Sequence, residues 1–81
     1  MQNSKLVELV LEWGESKGLN DPKAQLNKVI EEIGEIAHEI TRNKKGEELK
    51  DAIGDSLMTI IILAGICGYN PMDCLDRKSV V

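Results

Sequence analysis

Apolar positions along this chain recur at helical spacing. From residue 26 to residue 40, Leu26, Val29, Ile30, Ile33, Ile36, Ala37 and Ile40 fall at i, i+3 and i+4, which predicts an amphipathic helix. Asp21-Pro22 ahead of this run is a start signal, with Asp as cap and Pro at the first helical position. This helix is expected to reach about Asn43. An earlier helix is expected from Asn3 or Ser4, either of which can cap it, to about Lys17, with Gly18 closing it. Lys44-Lys45-Gly46 reads as a short turn, so the next helix, from about Glu47 to Cys67, should return antiparallel. Residues 57–67 are apolar nearly all round, which implies burial on most sides. Gly68-Tyr69-Asn70 ends that helix, and Pro71, with Asn70 as cap, opens a short fourth one. No strand signal or internal repeat interrupts the pattern. The expected fold is all-α: an antiparallel helical bundle of about four helices, two of them long and central, built by residues 1–81 as a single domain.

Composition alters this picture in one respect. The 81 residues include one Trp, one Tyr and no Phe, so the core must come from Leu, Ile, Val, Ala and Met. A chain this short buries only about 60–65% of its unfolded surface. So thin a core predicts completion by oligomerisation, as a homo-oligomer whose state, dimer or tetramer, is left open. The net charge of −4 argues against a nucleic-acid or anionic-membrane partner. The longest apolar stretch, Leu57 to Cys67, is about 11 residues, short of the roughly 18–20 that span a bilayer. The opening Met-Gln-Asn-Ser-Lys-Leu-Val-Glu lacks a secretory apolar core, and a cytoplasmic, reduced setting is expected. Cys67 and Cys74 have no metal-ligand spacing and read as small hydrophobes.

The candidate chemistry lies in two acidic blocks, Glu31-Glu32-x-x-Glu35 and Glu48-x-x-Asp51-x-x-x-Asp55. At about 100° per residue, Lys28, Glu35 and Glu39 fall within about 60° of Glu32. In the second block Glu48, Asp51 and Asp55 share a sector of about 60°, in line with Met58 and Ile62. Such a cluster is unfavourable unless solvent separates it or a divalent cation neutralises it. If the hairpin joins the blocks, Glu32, Glu35, Asp51 and Asp55 offer an all-oxygen site. Hard oxygen ligands favour Mg²⁺, or Mn²⁺, over Zn²⁺. Mg²⁺ so held takes its other ligands from water and substrate phosphate, which points to phosphate-ester or phosphoanhydride chemistry. The competing reading is a solvated acidic face on a structural oligomerisation domain.

At these residues the chain resembles a known family. Lys28-Val-Ile-Glu-Glu-Ile-Gly-Glu35-Ile-Ala is similar to the K-x-x-E-E-x-G-E-L-A signature of the MazG-like, all-α nucleoside triphosphate pyrophosphohydrolases. Glu48-Leu-Lys-Asp-Ala-Ile-Gly-Asp55, followed by an apolar run, resembles their second signature, and the likeness covers roughly residues 20–76. It implies a helical core shared with other subunits and Mg²⁺-dependent hydrolysis of (d)NTP to (d)NMP and pyrophosphate. Glu32 and Glu35 match the first motif, and Asp55 matches the Asp of the second. The family's Glu three residues before that Asp is Ala52 here. Either Asp51 substitutes for it, with Glu48 third, or Glu48-x-x-Asp51 is itself the second motif and Asp55 is auxiliary. By the same resemblance Glu31, Glu35 or Glu48 would orient the attacking water, and Lys28 would pair with the acids or meet a phosphate. The last helix of many relatives continues with cations that contact the triphosphate. Here Arg77 and Lys78 are the candidates, and a shortened helix would also suit a nucleotide-binding module with weakened catalysis.

The remaining residues carry weaker signals. Glu35-Ile-Ala-His38 has the E-x-x-H spacing of di-iron bundles, but such sites need two pairs and this chain has one His. Trp13 could stack on a nucleotide base, although a lone Trp on an amphipathic helix more often packs in a core. Tyr69 is expected to pack rather than to bind a ligand.

Overall fold

Helix boundaries follow the local signals closely. A computed structural model describes residues 3–42 and 46–78. It contains α1 (Asn3–Ser16), α2 (Pro22–Thr41), α3 (Glu47–Ile66) and α4 (Pro71–Asp76). The described residues are all-helical, with no strand. Asp21 caps α2 by accepting a 3.0 Å bond from the Lys23 amide, and Asn70 accepts one of 2.8 Å from Met72. Both capped helices begin with Pro, whose missing N–H costs nothing there. At the C-termini of α1 and α3 the chain turns through Gly18 (φ 71°) and Gly68 (φ 84°). Each glycine donates to the carbonyl three residues back, and the next amide donates to the carbonyl five back: Leu19 to Gly14, Tyr69 to Ala64. This is the Schellman arrangement, which needs a left-handed residue at that point. Helix α2 ends at Thr41, somewhat before the expected Asn43. Of the expected turn, Lys44 and Lys45 lie outside the described residues.

Helices α2 and α3 form the central antiparallel pair. Their seam buries Gln25 and Val29 from α2, and Ala52, Ser56, Thr59 and Ile62 from α3. Three of these six are polar. Gln25 Nε2 donates to the Thr59 carbonyl at 3.1 Å, and Thr59 Oγ1 donates to the Ser56 carbonyl at 2.8 Å. The seam therefore pairs small and polar side chains where the apolar stripe of α2 led one to expect Leu and Ile. Leu26, Ile30, Ile33 and Ile40 instead face outward from the single chain, as do Leu57 and Ile60 of α3, so burial of residues 57–67 is less complete than expected. Cys67 and Cys74, expected to behave as small hydrophobes, are exposed, and so is Tyr69, expected to pack. Cys67 and Tyr69 lie just past the end of α3, and Cys74 lies on α4.

Helix α1 packs on α3 through two glycines. A Cβ at Gly14 would stand 3.1 Å from Cγ1 and Cγ2 of Ile62, and one at Gly65 would stand 2.6 Å from Leu11 Cδ2. Both positions let the backbones approach closely, and Ile62 is the buried residue that links this contact to the α2–α3 seam. Gly14→Val should push α1 off Ile62 and cost about 1–3 kcal/mol, the usual range for overpacking. Thermal melts followed by circular dichroism check this, and an unchanged midpoint would contradict the close approach.

Candidate functional site

Two helix stripes meet along one edge of the central pair. On α2 the heptad-spaced positions Gln25, Lys28, Glu32, Glu35 and Glu39 run up one side, and on α3 Glu48, Asp51, Asp55, Met58 and Ile62 run down the other. The Gln25–Thr59 bond sets their register. Seven residues on from Gln25 is Glu32 and seven back from Thr59 is Ala52, so Glu32 stands level with the Asp51–Asp55 turn of α3. A cleft of about 530 Å³ opens on this edge. Its acidic end is formed by Lys28, Glu32 and Asp55, and its more apolar end by Trp13, Leu19, Ala24, Met58 and Ile62, with Gln25 and Thr59 in the wall.

The structure thus brings together Glu32, Asp55, Lys28 and Trp13 of the residues singled out in the sequence. Glu32 is partly sunk beside the seam, its side chain 16% exposed, and pairs with Lys28 Nζ at 3.3 Å. A carboxylate so placed needs a cation close by, and within one chain Lys28 supplies it. Trp13 is 45% exposed and contributes its ring to the cleft rather than to the core. Lys17 Nζ lies 5.8 Å from the ring centroid, a cation–π contact that helps to fix the ring plane. Glu31, Glu35, Glu48 and Asp51 are exposed and lie outside the cleft lining. Glu35, Asp51 and Glu48 continue the same two stripes towards the α2–α3 connection. Ala52 is buried in the seam, so the position where the resembled family carries Glu is here filled by a side chain small enough for close helix packing. Arg77 belongs to a separate hollow with Gly68, Tyr69, Asn70, Asp73 and Cys74, and Lys78 is exposed just beyond it.

The donors present suit a hard cation. The cleft offers carboxylate oxygens and no His or Cys, and Glu39 Oε2, further along the α2 stripe, is buried without a hydrogen-bond partner among the described residues. Among the described residues no three His, Cys, Asp or Glu side chains converge on one position. A pair of carboxylates is nevertheless a usual protein contribution to a Mg²⁺ ion whose other ligands are waters and phosphate oxygens. Gln25 lines the cleft but carries no site signal in the sequence. It shares the Lys28–Glu32 stripe, but periodicity alone marks it as one more polar position, and the bond that buries it spans 34 residues.

Comparison with known proteins bears on the same segment. The model of the MazG nucleotide pyrophosphohydrolase domain matches residues 20–73, which include both acidic blocks, Gln25 and Lys28 and exclude Trp13, Arg77 and Lys78. The chain is 33% identical over 63 residues to the "Uncharacterized 18.2 kDa protein in rep-hol intergenic region" of Haemophilus phage HP1 (strain HP1c1). That alignment covers 74% of this chain and 38% of the relative, so the chain spans well under half of the phage protein's length. No solved structure matches. No helix among the described residues is long and apolar enough to cross a membrane. With the domain model matching more than half of its length, this chain belongs to the MazG nucleotide pyrophosphohydrolase family.

Proposed function

We propose that this protein is a Mg²⁺-dependent nucleoside triphosphate pyrophosphohydrolase, releasing pyrophosphate from a (d)NTP to leave the (d)NMP. The observation that carries the proposal is the cleft in which Glu32 and Asp55, from the two acidic blocks of the family match, lie with Lys28 and Trp13. Glu32 and Asp55 would hold the ion, with Mn²⁺ as a substitute, and Glu35 and Asp51 extend the same acidic edge. An ion bound there would supply neutralisation of the triphosphate and of the charge that develops at the attacked phosphorus. Lys28 exchanges its pairing with Glu32 for a phosphate oxygen, and Trp13 stacks on the base at the apolar end. One of Glu31, Glu35 and Glu48 orients a water and takes its proton as the water oxygen bonds to the α-phosphorus. The bond from that phosphorus to the bridging oxygen breaks, and pyrophosphate leaves. Arg77 and Lys78, outside this cleft in their own chain, would serve the triphosphate of a neighbouring copy.

Self-association is part of this reading. Leu26, Ile30 and Ile33 of α2 and Ile53, Leu57 and Ile60 of α3 leave an apolar face uncovered, with Ile30 59% and Leu57 57% exposed. Covering what one such side chain still exposes contributes about 1 kcal/mol, and a second copy presents a matching face. Sedimentation equilibrium should show a dimer or tetramer, and Ile30→Glu with Leu57→Glu should shift it to monomer. A wild-type chain that stays monomeric at micromolar concentration would contradict this.

Pyrophosphate release from a panel of (d)NTPs, with Mg²⁺, Mn²⁺ or EDTA, tests the activity directly. Release should require metal, and Glu32→Gln or Asp55→Asn should lower kcat/KM by about two to three orders of magnitude with helicity unchanged. Metal-independent release, or full activity in both variants, would overturn the assignment. Trp13→Ala should act differently, raising KM by about tenfold through lost stacking and leaving kcat within about threefold. An equal fall in kcat would instead place Trp13 at the reacting phosphate.

A further inference from the structure

Gln25 presents an unusual combination of burial and direction. It is 6% exposed, lines the cleft, and lies one turn below Lys28 on the stripe that leads to Glu32. Its Nε2 donates to the backbone carbonyl of Thr59 at 3.1 Å. Because a carbonyl can only accept, this bond fixes which end of the amide is nitrogen and which is oxygen. The oxygen end receives no bond from a described donor. With Nε2 engaged by Thr59, Oε1 is the end of the amide left to meet a ligand in the cleft that Gln25 lines. The side chain is an acceptor held in a fixed orientation in the wall of the cleft.

We infer that Gln25 Oε1 selects the base of the nucleotide, accepting a hydrogen bond from an exocyclic amino group. This deepens the pyrophosphohydrolase reading and rests on it. The cleft has a direction that suits a nucleotide: Lys28, Glu32 and Asp55 at one end for phosphate, and Trp13, Leu19 and Met58 at the other for a base, with Gln25 in the wall. Gln25 and Glu32 are seven residues apart, about 10 Å along the helix, which leaves room for a sugar between base edge and phosphate. Cytosine and adenine offer an amino donor on their edges, whereas thymine and uracil present a carbonyl at the corresponding position. A carbonyl facing Oε1 leaves two acceptors opposed in a part-buried site, and sites built for a hydrogen bond reject partners that cannot make it. The fixed amide cannot flip to relieve this without breaking its bond to Thr59.

Equilibrium binding of three monophosphates in the presence of Mg²⁺ tests the inference: dCMP, dUMP and the 2-pyrimidinone deoxynucleotide, in which hydrogen replaces the amino group. The wild-type protein should bind dCMP at least about tenfold more tightly than either of the others. Gln25→Met, similar in shape and without a polar end, should bind all three within about twofold of one another. Circular dichroism verifies that the variant is folded, and if it is not, the wild-type comparison of dCMP with the 2-pyrimidinone nucleotide decides alone. Equal wild-type affinities, binding of none of the three, or a dCMP preference that survives in Gln25→Met would overturn the inference. Pyrophosphate release from dCTP, measured on the same preparation, separates the two claims. Base preference without release sinks the activity and leaves Gln25 as the selector, whereas release without preference does the reverse.

Discussion

The hydrogen bond from Gln25 to the Thr59 carbonyl is the interaction on which the rest of the arrangement depends. It crosses the seam between α2 and α3, and it is a buried polar contact in an interface otherwise lined by Val29, Ala52, Ser56 and Ile62. Apolar side chains alone would tolerate a sliding register, because one small aliphatic contact is much like the next. A buried amide does not, since leaving it unpaired costs about 1–3 kcal/mol. This one pairing sets the level of every later residue on the two stripes, and Glu32 and Asp55 come to line one cleft.

Close packing has a second consequence. Ala52 and Ser56 bring α3 near to α2, and Gly14 brings α1 near to Ile62. The three helices then enclose a cleft with Trp13 on one wall and carboxylates on the other. Apart from Val29 and Ile62, the bulky aliphatic residues of α2 and α3 lie mostly outside this seam. The uncovered face of Leu26, Ile30, Ile33 and Leu57 and the polar character of the seam are thus two results of one packing choice, and the proposed association of copies follows from it.

Much of the fold was legible in the sequence because it is written in local chemistry. Asp21-Pro22, Asn70-Pro71, Gly18 and Gly68 mark helix ends through capping bonds within a few residues, and those ends stand where expected. The stripe from Leu26 to Ile40 identified α2 correctly, but its width concealed which side faced α3. Periodicity reports that a face is apolar, not whether the chain itself or another copy covers it. Trp13 reads from the sequence as a core residue, since an amphipathic helix gives no sign that a neighbouring turn leaves a gap. Glu32 and Asp55 could be named as candidates from motif spacing, whereas the position of Glu35 and Asp51 beyond the cleft depends on helix register. Gln25 was out of reach for the same reason, because its partner lies 34 residues away.

The central claim is that the α2–α3 register makes Glu32 and Asp55 one metal-binding edge. Paramagnetic broadening by Mn²⁺ in nitrogen-15 correlation spectra tests it most directly, because the readout depends on position and not on turnover. At substoichiometric Mn²⁺ the amides around Glu32 and Asp55 should broaden first and together, and Glu32→Gln with Asp55→Asn should abolish that local effect. Broadening spread evenly over the acidic surface, or confined to one of the two helices, would contradict the account.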